Sequence, residues 1–191
     1  MTSTATMPRY PYQSLWPQTC RRPIVGFAAW SGTGKTTLLE AVIPRLREAG
    51  LRLALVKHAH HAFDVDHPGK DSYQLRKAGA DQVLVTSGQR WALMRERQQE
   101  RDPVLAEEIA RLDQDSVDLL LVEGFRNERF PKIELLRETG RDRPPLFHDD
   151  DAIIAVATAD DQPLETTLPR LSMNDPDGVA RFILQEIAGA R

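Results

Sequence analysis

The stretch Ile24-Val25-Gly26-Phe27-Ala28-Ala29-Trp30-Ser31-Gly32-Thr33-Gly34-Lys35-Thr36-Thr37 decides the fold. Its first residues form a short apolar run, the pattern of a strand buried on both faces. Ala29 to Thr36 then follow the phosphate-loop pattern G-x-x-x-x-G-K-[ST], with Ala29 standing where the pattern has glycine. Leu38, Leu39, Val42, Ile43 and Leu46 recur every three or four residues, which predicts an amphipathic helix. Gly50 is placed to cap it, and Pro44 inside the pattern is expected to kink it. Leu51 to Val56 reads as a second buried strand. Strand, helix and strand in this order make a βαβ unit, hence a parallel sheet with a right-handed crossover.

Alternation continues outward from this unit. A helix is predicted over Asp71–Lys77, ending at Ala78-Gly79. Gln82–Thr86 and Trp91–Met94 read as strands joined by a Ser87-Gly88 turn. Residues 95–102 are highly charged and read as a solvated connection. Asp102-Pro103 is expected to open a helix with stripe residues Leu105, Ile109 and Leu112. Asp118–Val122, Lys132–Leu136 and Asp151–Ala157 read as strands, and Asp175-Pro176 caps a last helix carrying Val179, Phe182, Ile183 and Ile187. The fold class predicted is α/β: a three-layer P-loop NTPase fold, with a mainly parallel sheet covered by helices on both faces. Residues 1–22, with Pro8, Pro11 and Pro17 and no hydrophobic period, read as a flexible tail whose docking groups are Tyr10, Tyr12, Leu15 and Trp16. Residues 23–191 read as one domain.

Composition narrows the function. Of 191 residues, 25 are basic and 28 acidic, and the net charge of −3 gives no basis for nucleic-acid binding, so an anionic ligand needs a local site. The single cysteine, Cys20, cannot form an internal disulfide and fits a reducing compartment. The sequence offers no apolar window of the roughly 18 residues that span a bilayer. A cytoplasmic location is the expectation.

Three segments carry chemistry. In the loop, Gly32 and Gly34 allow left-handed backbone and close approach of a phosphate. Amides from Ser31 to Thr37 then form an anion nest at the positive end of a helix. Lys35 reaches the β- and γ-phosphates, and the Thr36 hydroxyl can ligate Mg²⁺. The second segment, Asp118-Leu119-Leu120-Leu121-Val122-Glu123-Gly124, is a hydrophobic strand ending in a carboxylate. Such a strand delivers its last carboxylate to the metal of a neighbouring phosphate loop, which makes Glu123 a Mg²⁺ candidate and the Gly124 amide a γ-phosphate sensor. Asp118 lies about 17 Å away by strand rise and is not a ligand. A solvated strand-end carboxylate is the plainer reading of Glu123. The third segment runs from Lys57 to Ser72 and holds four of the five histidines. It reads as a switch loop, with Asp64 or Asp66 helping to hold Mg²⁺ and Lys57 or Lys70 contacting an anion. It reads alternatively as transition-metal capture by His58, His60 and His61, or as a polar surface loop.

Taken together, Ser31–Thr37, the stretch Lys57–Ser72 running into Ala78-Gly79-Ala80, and Leu121-Val122-Glu123-Gly124-Phe125 followed by Pro131-Lys132-Ile133-Glu134 resemble the molybdopterin-guanine dinucleotide biosynthesis adapter (MobB) family over about residues 23–190. The resemblance implies a GTP-binding protein with weak GTPase activity that forms a homodimer. It also implies an association with the guanylyltransferase that joins GMP to molybdopterin, and molybdopterin or its guanine dinucleotide as a further ligand, so that Lys57, His58, His60, His61, Asp64 and Lys70 either respond to the γ-phosphate or hold the pterin product. The family's phosphate and Mg²⁺ roles carry over onto Gly32, Gly34, Lys35, Thr36 and Glu123, with Lys35 and Glu123 acting on the triphosphate. Asp66 carries over less directly. Thr158-Ala159-Asp160 ends the last strong strand where a GTPase reads guanine, and it lacks the usual lysine between Thr and Asp. Asp160 is thus either the guanine reader or a plain loop carboxylate. The competing functions are a dethiobiotin-synthetase-like ATP-dependent kinase or ligase, with a lid from Arg90, Arg95, Arg97 and Arg101, and a metal-delivery GTPase built on the histidines.

Overall fold

A computed structural model describes residues 10–59, 63–137, 143–159 and 164–189. The chain divides into two compact units, residues 1–58 with 103–191, and the insert 59–102.

The larger unit is a six-stranded sheet. In chain order its strands are β1 (Ile24–Ala28), β2 (Leu53–Lys57), β5 (Leu119–Glu123), β6 (Lys132–Leu136), β7 (Ile153–Thr158) and β8 (Arg170–Ser172), with β3 (Gln82–Thr86) and β4 (Trp91–Arg95) belonging to the insert. The spatial order is β2-β5-β1-β6-β7-β8, and every pairing is parallel. β1 lies at the centre because both its faces are apolar: Val25 and Phe27 join one core, Ile24 the other. On the first face, α1 (Lys35–Glu48) contributes Leu38, Leu39, Val42 and Leu46, and α4 (Pro176–Phe182) contributes Val179 and Ala180. On the second, α3 (Leu105–Ile109) packs Leu105 and Ile109 against Leu120, Val122 and Phe130. Helices thus cover both faces of the parallel sheet, as the alternating pattern predicts.

Several elements differ from the sequence reading for physical reasons. α3 starts at Leu105, with Val104 at its N-cap, rather than at Asp102-Pro103. Its first amide is satisfied from elsewhere: Leu105 N donates to Glu128 Oε1 at 2.8 Å. β8 was not predicted; three residues are too short to show a period. The last helix passes into a π-helical turn over Ile183–Ile187, which keeps Ile183 and Ile187 in the core. Residues 10–22, read as tail, lie against the core. Tyr12 and Leu15 pack on the first face and Trp16 and Cys20 on the second, while Arg21 N donates to Gln114 Oε1 at 2.8 Å.

The insert has α2 (Asp71–Lys77) and an antiparallel hairpin of β3 (Gln82–Thr86) and β4 (Trp91–Arg95). Its centre is ionic. The Arg76 guanidinium, 8% exposed, bonds Asp64 at 2.6 Å, Asp66 at 2.7 Å and Glu96 at 2.7 Å.

Candidate functional site

The site is built at the carboxyl ends of the central strands. Leaving β1, the chain runs through Ala29 to Gly34 and enters α1 at Lys35. Gly32 has φ 79° and Gly34 φ 104°, values that strain any residue with a Cβ. Ala29 is not among the residues with positive φ, so an alanine there costs no strain. The loop is stapled internally, since Thr33 Oγ1 donates to Trp30 O at 2.7 Å. Lys35 folds back so that Nζ donates to Ala29 O at 3.2 Å. Burial pulls its ammonium below the usual lysine value, and the Glu123 carboxylate opposes that pull.

Two strand ends stand beside this loop. Phe27 of β1 is in register with Glu123 of β5, and Glu123 with Lys57 of β2. Lys57 Nζ donates to Glu123 Oε2 at 3.0 Å, and His58 N donates to Glu123 O at 2.8 Å. Gly124 follows with φ 92°, and a Cβ there would lie 2.6 Å from the His58 Cβ. Only glycine lets these two loops pass so closely. Phe125, itself at φ 54°, tilts against the His58 ring at 5.0 Å.

The structure brings Lys35, Lys57, His58, Glu123 and Gly124 to one sheet edge with the glycine loop. Asp64 and Asp66 are engaged differently. Both accept from Arg76, and that bond holds the Asp66 carboxyl below its usual value. Lys70 sits at the N-cap of α2 within the same insert. His60, His61 and Asp160 lie outside the described residues. Among the described residues, no group of three or more His, Cys, Asp and Glu could hold a metal ion. The hydroxyl of Thr36 and the carboxylate of Glu123 are hard oxygen donors. They suit Mg²⁺, which takes few protein ligands and completes its shell with water and phosphate.

Several residues on the other side of β1 escaped the sequence reading. Lys132, 1% exposed, donates from Nζ to Glu128 O at 2.6 Å and Arg126 O at 3.1 Å, and pairs with Asp150 Oδ2 at 2.6 Å. Glu134, fully buried, accepts from the amides of Leu146 and Phe147 at 2.7 and 2.9 Å, and burial still pushes its carboxyl up. These two side chains of one strand fasten the segments on either side of Trp30. The Arg126 guanidinium lies 5.0 Å over the Trp30 ring, and Trp30 Nε1 donates to Pro144 O at 3.0 Å. An open cavity of about 140 Å³ follows, lined by Trp30, Gly32, Thr33, Leu136, Arg137 and Arg143. The alternation of Lys132, Ile133 and Glu134 signalled a strand but not that its charges are buried.

This sheet order, with a glycine loop between the central strand and a helix, defines a P-loop-like α/β protein, a nucleotide-binding fold. The model of the family described as MobB, molybdopterin guanine dinucleotide synthesis protein B, matches residues 24–159. The chain is 50% identical over 163 residues to the molybdopterin-guanine dinucleotide biosynthesis adapter protein of Escherichia coli K12, covering 85% of this chain and 92% of that protein. It is 40% identical to the adapter protein of Haemophilus influenzae, covering 88% of this chain and 93% of that one. Among solved structures, Bacillus subtilis MobB superposes with a TM-score of 0.66 at 26% identity, covering 86% of this chain and 98% of that chain. A MobB homologue from Bacillus stearothermophilus, at 23% identity over 85% of this chain and 96% of that chain, shares the fold with a TM-score of 0.60. The chain belongs to the MobB family.

Proposed function

We propose that this protein is a GTP-binding adapter of molybdopterin guanine dinucleotide biosynthesis, with weak GTPase activity. The observation that carries the reading is the glycine loop that opens α1 with Glu123 in register beside it on β5. Amides from Ser31 to Thr37 hold the phosphates, and Lys35 swings from Ala29 O onto the β- and γ-phosphates. The Thr36 hydroxyl and the Glu123 carboxylate hold Mg²⁺, which neutralises charge on the phosphate oxygens. Lys57 is the counterion of Glu123 in this structure, and the Gly124 amide would donate to the γ-phosphate. Lys57 and His58 are proposed to respond to the γ-phosphate or to help hold the pterin product. Asp66, bonded to Arg76 in this structure, stays a further proposed ligand, and Asp160 the proposed guanine reader. Among the described residues none is placed to act as a strong general base, so the hydrolysis proposed is slow.

The names of the relatives support an adapter role, and the proposed partner is the guanylyltransferase that joins GMP to molybdopterin, with the protein acting as a homodimer in the cytoplasm. Among the described residues, no helix is long and apolar enough to cross a membrane. The test is calorimetric titration with Mg²⁺ and GTP or ATP, together with co-purification of the guanylyltransferase. GTP is expected to bind in preference to ATP, and Lys35→Ala to lose binding about ten- to a hundredfold, as for removal of a charged hydrogen bond in a phosphate site. Equal affinity of Lys35→Ala and the parent refutes the reading.

A further inference from the structure

Three consecutive strands end in register on the side of β1 away from Glu123. Leu136 of β6 pairs with Thr158 of β7, and Thr158 with Ser172 of β8. The next residues along these strands are Arg137, Ala159 and Met173. Met173 is fixed there by its amide, which donates to Thr158 O at 2.8 Å. Arg137 leans onto the loop, its Nε donating to Thr33 O at 3.3 Å. Both side chains converge on Gly34. A Cβ built on that glycine would lie 3.5 Å from a terminal guanidinium nitrogen of Arg137 and 3.7 Å from Met173 Cε.

A nucleotide whose phosphates sit on the loop has its metal end toward Glu123 and Lys57, which lie on β5 and β2. Its sugar and base must therefore leave across β6, β7 and β8, where Arg137 and Met173 flank the entrance. A guanidinium is a planar cation that stacks on an aromatic face, and a thioether makes favourable contacts with aromatic rings. The strand end that would carry a lysine against the base has Ala159 in its place, and the neighbouring strand supplies a cation one position across in register.

We infer that Arg137 and Met173 form the platform on which the purine of the bound nucleotide lies, with the Arg137 guanidinium stacked on the ring. This rests on the nucleotide-binding reading above and assigns that site its base-side wall. Stacking is indifferent to the base edge, so the platform provides affinity for purines in general.

The experiment compares Mg²⁺-GTP with Mg²⁺-tripolyphosphate, which has the phosphates and no base, by titration of the full chain. Arg137→Ala is expected to weaken GTP about tenfold while tripolyphosphate changes by less than about twofold. Arg137→Lys, which keeps charge but not the plane, does not restore GTP affinity. Met173→Ala leaves the bond to the Thr33 carbonyl intact and shows the same selective loss on a smaller scale, so the proposal is testable even if Arg137→Ala does not fold. An equal loss for both ligands makes Arg137 a phosphate or loop residue and overturns the platform, and so does no loss for either. A parent protein that binds neither ligand refutes the nucleotide reading itself, and the platform with it.

Discussion

Replacing Lys132 by methionine tests how the segment after β5 is held. The side chain is 1% exposed, and its ammonium has three oxygen partners: the carbonyls of Arg126 and Glu128 and the carboxylate of Asp150. Its stem runs beside Gly26, where a Cβ would lie 3.2 Å from the Lys132 Cγ and 2.3 Å from the Phe130 ring. Methionine keeps the apolar stem and deletes the charge. Asp150, about a quarter exposed, then loses its counterion, and two carbonyls lose a donor. Breaking a buried ion pair on one side costs about 3–5 kcal/mol. For a chain of this length each kcal/mol lowers Tm by about 2–4 °C, so a fall of about 6–20 °C is expected. Thermal unfolding followed by circular dichroism reads it directly, with urea unfolding as the check on free energy. Adding Asp150→Asn to the same chain is expected to recover part of the loss, because the orphaned charge is the main penalty. A single variant within about 1 kcal/mol of the parent would show that the network carries no net stability and refute the reasoning.

Two further outcomes follow from the geometry. The Arg52 guanidinium beside Asp118 holds that carboxyl down at about 2, against an ordinary value of 3.8. The pair therefore stabilises the fold fully above pH 3.8, and the contribution disappears as pH falls through about 2. Asp118→Asn is expected to flatten the acid limb of a stability–pH curve in that window, and an unchanged limb would exclude the pair as its source. Gly124→Ala places a Cβ 2.6 Å from that of His58 on a backbone at φ 92°. The left-handed backbone alone costs about 1–2 kcal/mol and the overlap adds to it, so a urea midpoint equal to the parent's would contradict the close passage of the two loops.

The elements readable in the sequence are those whose signals are local. β1, the glycine loop and α1 stand together because an apolar run, two glycines and a helical stripe occupy adjacent residues. The strands over Lys132–Leu136 and Ile153–Thr158 were legible for the same reason. What was missed is held by partners distant in sequence. α3 begins where Glu128 caps it, not where Asp102-Pro103 would start it. Residues 10–22 look like a tail until Gln114 and the two cores are placed against them. At the site, Lys57, Glu123 and Gly124 were legible as strand ends, because parallel strands bring their carboxyl ends to one edge. Asp66 was read as a metal candidate from its charge and from the family resemblance, and nothing in its neighbourhood announced Arg76, ten residues on, as its partner. Arg137 was one arginine among many until register set it beside Ala159 and the loop.

The neighbouring strands β2 and β5 are separated in sequence by the whole insert, yet they pair along their full length. Closing a flexible connection costs free energy only with the logarithm of its length, about 0.6 kcal/mol for each doubling. The sheet therefore pays almost the same entropy whether that excursion is short or long. Residues 59–102 are accordingly the place where this architecture accepts lengthening, trimming or exchange with the least thermodynamic consequence for the strands that flank the glycine loop.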